Sequence, residues 1–396
     1  MKCKVKAGEL RDALQLALIT VDRRQGSELG YIYIGARKNK GASQRILLHS
    51  TDGVVKLLAR VNCEVEEAGE LIVDPMRLAS IIERQADEAV VTFSSEAGKG
   101  DRVTARCGGM RCVLSSKLAM KAAYEQAMSG FPYNAPDLFK IEAASLKSLL
   151  DRTSPFIFKK DGSEFFKNVL IRAVAGGYTA LATNREVLAR AAVVDANSPF
   201  KPGEPATELE LPGRALAGLA KMLSRSKKET IRVIVTKTDG DVSNAVFFRT
   251  DDVFFGTALS AAKLPAMDAI FKNQTMDSSI EVAREPFLDS VSRSNPFCVD
   301  STSGRLVQVE LTGASLKLTA SDQGGEFEEE IVASGEASGK HKGTFRAAYL
   351  SDVLRNSVED NVTFKLGTAL PHKMTTALMV LGADNGASYV VAGLQG

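Results

Sequence analysis

The sequence predicts an α+β protein of three repeats, each with two helices packed on antiparallel sheet, and three observations carry that expectation. The first is the pattern of Phe139 to Phe156. Phe139, Ile141 and Ala143 alternate with Lys140 and Glu142, the period of a half-buried strand, and Leu146, Leu149 and Leu150 then take the spacing of one helix face. The second is recurrence. Moved back 136 residues, the template falls on Cys3, Val5 and Ala7, then Leu10, Ala13 and Leu14; moved forward 141, it falls on Ile280 and Val282, then Phe287 and Val291. Arg152, Pro155 and Phe156 return as Arg293, Pro296 and Phe297. The third is length, since 396 residues suit two to four domains at roughly 100–200 residues each. The repeats are expected at 1–125, 138–270 and 279–396.

Each repeat continues in the same order. Ser145 is placed to cap the helix of the second repeat. Strand-like runs follow the first helices: Tyr31 to Ile34 and Arg45 to His49, Val169 to Ala173 and Tyr178 to Ala182, Leu306 to Leu311 and Leu316 to Ala320. The second run of each pair ends in a polar turn, at Asp52, Asn184 and Asp322. Further strands leave from Val54, Val187 and Glu326. Second helices start near Asp74, Leu211 and Phe345, with Leu78, Leu216 and Leu350 in register and an apolar face completed by Ile81 and Ile82, Leu219, and Val353 and Leu354. Strands from Ala89, Ile231 and Asn361 come next, and a β pair closes each repeat. Residues 119–137 and 271–278 read as connections. Two amphipathic helices on one side of antiparallel sheet let each sheet bury one face.

Composition excludes several classes. No apolar run is long enough to span a bilayer and the start lacks the apolar core of a signal peptide, so a cytoplasmic protein without membrane contact is expected. Cys3, Cys63, Cys107, Cys112 and Cys298 are scattered and read as small buried residues in a reducing compartment. His49, His341 and His372 stand alone, so no metal site is expected. Gly176 and Gly177 lie between strands, where a turn is expected and a phosphate loop is not. Asp52 and Asp322 recur at turns where the second repeat has Asn184, which suits turn geometry better than acid–base chemistry, and Glu328 to Glu330 read as a solvated strand end. No nucleophile–base set emerges; neither catalysis nor a cofactor is expected.

The net charge is only +2, from 50 basic and 48 acidic side chains, so a polyanion site needs segregated charge. The helices supply a candidate. Arg77 and Arg84, then Arg214, Lys221 and Arg225, then Arg346 and Arg355 lie off the apolar stripes of the second helices; Lys147, Arg152 and Arg293 do so on first helices, and Arg23 and Arg24 follow the opening helix. Any one reads blandly as a solvated charge. Their recurrence suggests a phosphate-facing lining that positions nucleic acid without reading bases.

This order of elements resembles the bacterial DNA polymerase III beta subunit, the sliding clamp, along the full chain. The echoes are MKCKV before a leucine helix, LATN at Leu181, ELPGRALAGLAKML, AAKLPAM, FRAAYLSDVL and ASYVVAG. The resemblance implies three DNA-clamp domains per chain and a homodimeric ring around duplex DNA, loaded by a clamp loader and tethering a replicative polymerase. It implies a partner-peptide pocket at Phe166, Lys167, Thr183, Leu188, Pro265, Ile270, Val390, Val391 and Leu394, and a head-to-tail contact of Arg111, Cys112, Val113 and Leu114 with Pro296 and Phe297. The chain departs from the family at this pocket. Asn184, Arg185, Glu186, Val187 and Leu188 replace the usual Asp-Gly-x-Arg-Leu, and the ending Ala392 to Gly396 lacks the usual methionines. A clamp-fold scaffold that binds replication proteins without encircling DNA is the alternative expectation, and an enzyme acting on DNA a third.

Overall fold

The computed structural model describes residues 1–396 except 25, 39–43, 96–101, 161, 197, 227–228, 238–242, 268–269, 272–273, 299, 302–303, 358, 370–373, 382–385 and 394–396. It divides into two compact units. One holds Met1–Ala144 and Arg214–Leu259, the other Ser145–Gly213 and Ser260–Gly396, so the division runs through the middle of the second sequence repeat.

The first unit is organised by the strand Val55–Glu67. Its length lets it pair twice along one edge: Val55 to Ala59 take Thr257 to Val253, and Cys63 to Glu67 take Val5 to Lys2. Its other edge pairs with Arg45–Thr51. All pairs are antiparallel, and the sheet reads Met110–Ser115, Arg102–Cys107, Val90–Ser95, Lys2–Lys6, Val55–Glu67, Val253–Ala258, Ser243–Arg249, Thr230–Lys237, Phe139–Glu142, with Ile32–Ala36 and Gly69–Val73 branching through Arg45–Thr51. Three helices bury their apolar stripes here. Ala7–Thr20 buries Leu10, Ala13, Leu14 and Ala17; Pro75–Ile82 buries Leu78 and Ile82; and Arg214–Arg225 of the helix Gly213–Arg225 buries Leu216, Leu219, Met222 and Leu223. Each leucine, isoleucine or methionine side chain among them contributes roughly 1.5–3 kcal/mol by leaving water. Asp74 starts its helix by accepting from the Met76 and Arg77 amides at 2.9 and 3.3 Å, with Pro75 filling the first helical position, where no amide is needed.

Segment 119–137 is packed structure and not a free connection. It contains the helix Lys121–Met128, Tyr124 is buried with its hydroxyl donating to the Tyr31 carbonyl, and Phe131 enters a core of Leu58, Ile234, Phe247 and Phe254. Phe131 thus covers the seam where Leu58 pairs with Phe254.

The second unit has an analogous seam. Val187 to Ala191 pair with Val391 to Ala387, joining strands Thr207–Pro212, Asn168–Val174, Gly177–Thr183 and Val187–Val194 to strands Ala387–Ala392, Met374–Leu381, Asn361–Ala369, Gln274–Ala283, Gly325–Arg346, Gly304–Asp322 and Asp300–Ser301. Helix Arg284–Ser294 buries Phe287 and Val291 and packs on helix Ala347–Arg355, which buries Leu350, Val353 and Leu354. The helix Ala143–Thr153 buries Leu146, Leu149 and Leu150, and begins two residues before the expected Ser145 cap. The runs expected separately at Leu306 and Leu316 form one strand, irregular at Gly313, where φ is 57°. The connection expected at 271–278 overlaps the start of strand Gln274–Ala283.

Candidate nucleic-acid and partner interfaces

The basic side chains singled out on the helices fall into three groups. Arg24, Arg77, Arg214 and Arg293 pair with carboxylates while staying half-exposed or more. Arg24 makes a forked contact with buried Asp22 at 2.6–3.0 Å, Arg77 lies 3.5 Å from Asp74, Arg214 lies 2.7 Å from Asp52, and Arg293 pairs with Glu329. The hydrogen bonds from Arg24 and Ser27 hold the Asp22 carboxyl well below its usual range. The Arg77–Asp74 pair has both partners exposed and is worth only about 0–1 kcal/mol, so an incoming phosphate can compete for that guanidinium, whereas Arg24 and Arg214 answer the buried carboxylates of Asp22 and Asp52. Lys147 likewise pairs with Asp151 on its own helix.

Arg152, Arg225 and Arg346 behave differently. Arg152 is 12% exposed and meets Glu359 at 2.5 Å. Arg225 is held by the Asp12 carboxylate at 2.8 Å and the Gln15 amide oxygen at 2.8 Å, and burial lowers its pKa. Arg346 reaches Glu186 at 2.7 Å and the Tyr349 hydroxyl at 3.2 Å. These guanidiniums are turned into the protein and tie elements together. For the most enclosed pair, Arg152 with Glu359, removing one partner would leave a largely buried charge unanswered and destabilise the fold.

Arg23, Arg84, Lys221 and Arg355 form the third group. Arg23 donates to the Leu18 carbonyl at 3.0 Å, at the helix end where positive charge is favoured. Arg84 and Arg355 are exposed and Lys221 is half-buried; among the described residues none of the four has an ion pair. They are the cations most available to a polyanion.

The pocket residues share the second unit. Thr183 pairs with Leu188 and Leu188 with Val390 on three successive strands, with Val391 beside them. All four are buried. Phe166 packs with Met267 on a cluster of Leu170, Leu181 and Leu264, and Leu181 lies two residues from Thr183 on the same strand. Pro265 and Ile270 are exposed, Lys167 is 2.7 Å from Glu164, and Leu394 lies outside the described residues.

Two residues that the pattern did not single out tie the segment 260–264 to the strands beside these residues. The Asn168 side-chain amide donates to Ser260 Oγ at 2.9 Å and to the Ala262 carbonyl at 2.7 Å, and Glu210 accepts from the Leu264 amide at 2.8 Å, its pKa raised by burial. In Thr207–Pro212 burial does not alternate, so the period-two rule gave no sign that Glu210 points inward. Arg185 was also missed; it is exposed, with its guanidinium 5.5 Å from the Phe158 ring centre and 5.3 Å from that of Phe166.

Two sheet edges complete the picture. Met110–Ser115 ends the first unit's sheet, bonded among the described residues only to Arg102–Cys107, with Arg111 and Val113 exposed, Cys112 half-buried and Leu114 buried. At the border of the second unit's sheet lies Asp300–Ser301, just after a turn that exposes Pro296 and stacks Phe297 on Phe327 at 5.8 Å. A strand edge with unused amides and carbonyls is a template for pairing. Three of the five cysteines, Cys3, Cys107 and Cys298, are buried, and Cys63 and Cys112 are half-buried; all are free thiols. Among the described residues no cluster of metal-ligating side chains occurs and no helix is long and apolar enough to cross a membrane.

No family model matches the chain. Two curated proteins do, both named beta sliding clamp. That of Pseudomonas aeruginosa is 24% identical over 88% of each chain, and that of Vibrio cholerae 23% identical over 99% of each. The fold is the DNA-clamp fold. The DNA polymerase III beta subunit of Pseudomonas aeruginosa superposes with a TM-score of 0.82 at 21% identity over 100% of both chains, and the DNA polymerase sliding clamp of Bacillus subtilis with 0.83 at 17% identity over 100% of this chain and 99% of its own. The chain is a divergent relative of these clamps.

Proposed function

We propose that this divergent relative of the beta sliding clamps is itself a DNA sliding clamp: a non-catalytic processivity factor that encircles duplex DNA and tethers a replicative polymerase. The observation that carries the reading is the end-to-end correspondence with clamps, in sequence over 99% of one relative and in fold over the whole chain. The role is topological. A closed ring cannot leave a circle, so contacts with DNA need only be weak, and weak phosphate contacts leave sliding unhindered. The near-neutral charge and an exposed paired arginine such as Arg77 fit that demand, because a phosphate there displaces a carboxylate in place of adding a new attraction. Arg23, Arg24, Arg77, Arg84, Lys147, Arg214, Lys221, Arg293 and Arg355 are the residues we assign to the lining.

Two copies close the ring by joining the Met110–Ser115 edge of one to the Pro296 and Phe297 region of the other, a heterologous contact that two-fold repetition closes. Three repeats per chain then give six domains around the hole. The groove of Phe166, Thr183, Leu188, Val390 and Val391 receives polymerase and clamp loader in turn, and the protein works in the cytoplasm.

Light scattering across concentrations tests the assembly, with twice the 42.4 kDa chain expected. Cross-linking the two edges through introduced cysteines should then yield protein that stays on closed circular duplex in high salt and leaves once the circle is cut. A strict monomer at high concentration would sink the ring and favour a scaffold that binds replication proteins without encircling DNA.

A further inference from the structure

We infer that the cavity of about 460 Å³ lined by Tyr33, His49, Tyr133, Arg37 and Arg60 is a binding site for a small planar aromatic anion, a flat ring that bears a carboxylate or a phosphate. It shares no residue with the polyanion lining or with the second unit's pocket, and it belongs to the first unit whether or not two chains close a ring.

Strand register builds the floor. Across Ile32–Ala36, Arg45–Thr51 and Val55–Glu67, Tyr33 stands opposite His49 and His49 opposite Leu58; two residues along, Gly35 stands opposite Leu47 and Leu47 opposite Arg60. These six residues share one face of the sheet. Gly35 keeps that face low, because a Cβ there would lie 3.0 Å from Cε1 and 3.1 Å from the hydroxyl oxygen of Tyr33, whose ring lies over the glycine. Segment 119–137 supplies the walls. Tyr124 is held there by the Tyr31 carbonyl, and Tyr133 packs on Phe131 and Phe254 with ring centres 5.9 and 5.7 Å away. Tyrosine walls around a cleft of this size suit a flat ring, which they can meet by stacking or by edge contact.

The charges in the cavity are unequally answered. Glu70 accepts from the Tyr33 hydroxyl and lies 2.6 Å from Lys121, which also lies 3.5 Å from Glu125, so both acidic groups of the lining have a cation. Arg37 and Arg60 have no ion pair among the described residues, and Arg60 gives one donor to the Asp251 carbonyl at 2.8 Å. Burial raises the Tyr133 pKa and the Arg60 and Arg37 charges oppose the rise, so both guanidiniums act on that wall; Arg37 acts on Tyr33 and His49 as well. His49 is 9% exposed, and its Nδ1 is buried without a hydrogen-bond partner. Two guanidiniums without a carboxylate, set beside tyrosine rings and an unanswered imidazole, are complementary to an anionic group carried on an aromatic ring.

Calorimetric titration of the full chain tests the site with naphthoate, its neutral amide naphthamide, the non-aromatic cyclohexanecarboxylate, and deoxyadenosine monophosphate. The wild-type protein should bind naphthoate at one saturable site per chain, about tenfold more tightly than naphthamide or cyclohexanecarboxylate. Arg37→Gln, at an exposed position, should keep the melting curve and lower naphthoate affinity to that of naphthamide; Tyr133→Leu should lower it to that of cyclohexanecarboxylate. Tighter binding of deoxyadenosine monophosphate than of naphthoate, lost in Arg37→Gln, would support the site and assign it a nucleotide, and weaker binding would support it and assign an aromatic carboxylate. No saturable binding of either anion, or wild-type affinity for them in both variants, would overturn the inference.

Discussion

His49 is a base placed where its charged form is disfavoured. It is 9% exposed, lies edge-on to Tyr33 and Phe131, and has no hydrogen-bond partner at Nδ1. Burial first, and the Arg37 charge second, lower its pKa from 6.5 to about 4. The sign follows from proton counting. Between those values the unfolded chain binds a proton that the folded chain does not, so stability is fully present above pH 6.5 and falls as the pH drops toward 4. The loss should be about 3 kcal/mol. Urea unfolding at pH 7 and pH 4 measures it, and His49→Phe, which keeps a ring but cannot titrate, should lose about that much less across the interval. The sequence presented His49 as an isolated histidine without metal-ligand spacing, and that much was legible. Its partners were not, because they come from separate segments. Arg185 was nearer to being readable: setting Thr183 and Asn184 beside Thr51 and Asp52 places it opposite Gly53, and a glycine in such a turn is the residue-level sign of positive φ.

At the scale of elements, helices read best, since the three pairs of apolar stripes buried the faces their spacing predicted. Strand existence was readable too, but partnership was not. Nothing local in VKLLARV says that it hydrogen-bonds to a strand starting at Val253, because register across such a separation is set by global packing. The same limit hid the fate of Arg225, which lies off its helix's stripe as Lys221 does, yet is captured by Asp12 on another helix. Close approach of elements left one trace, Gly218 within the Arg214–Arg225 stretch. A Cβ there would sit 2.6 and 2.9 Å from the buried Phe255 ring and 3.6 Å from Ile19. In an open helix Gly→Ala gains about 1 kcal/mol, whereas overpacking costs about 1–3 kcal/mol. Phe255 is fully buried, so the second effect should win. Gly218→Ala is expected to lower the urea midpoint of the first unit, and a raised midpoint would show that the helix can move away.

For the whole molecule, the proposed role requires a nearly neutral chain to hold a polyanion. The cations without ion pairs should dominate the salt dependence, since each phosphate neutralised contributes about −0.9 to the slope of log affinity against log salt. Lys221→Ala should therefore make that slope shallower by about 0.9 for each phosphate it leaves unneutralised. Arg152→Met should leave it unchanged, because Arg152 already answers Glu359. Equilibrium binding to duplex at several salt concentrations separates the two, and an equal change in both variants would remove Arg152's structural role. The passage of strands between repeats has a genetic consequence as well. The gene could be split after exposed Gly130 into two co-expressed fragments, because Val55–Glu67 before the cut is laced to Val253–Ala258 after it. The halves would find each other as a sheet edge finds its missing strand, making the chain a natural substrate for fragment complementation.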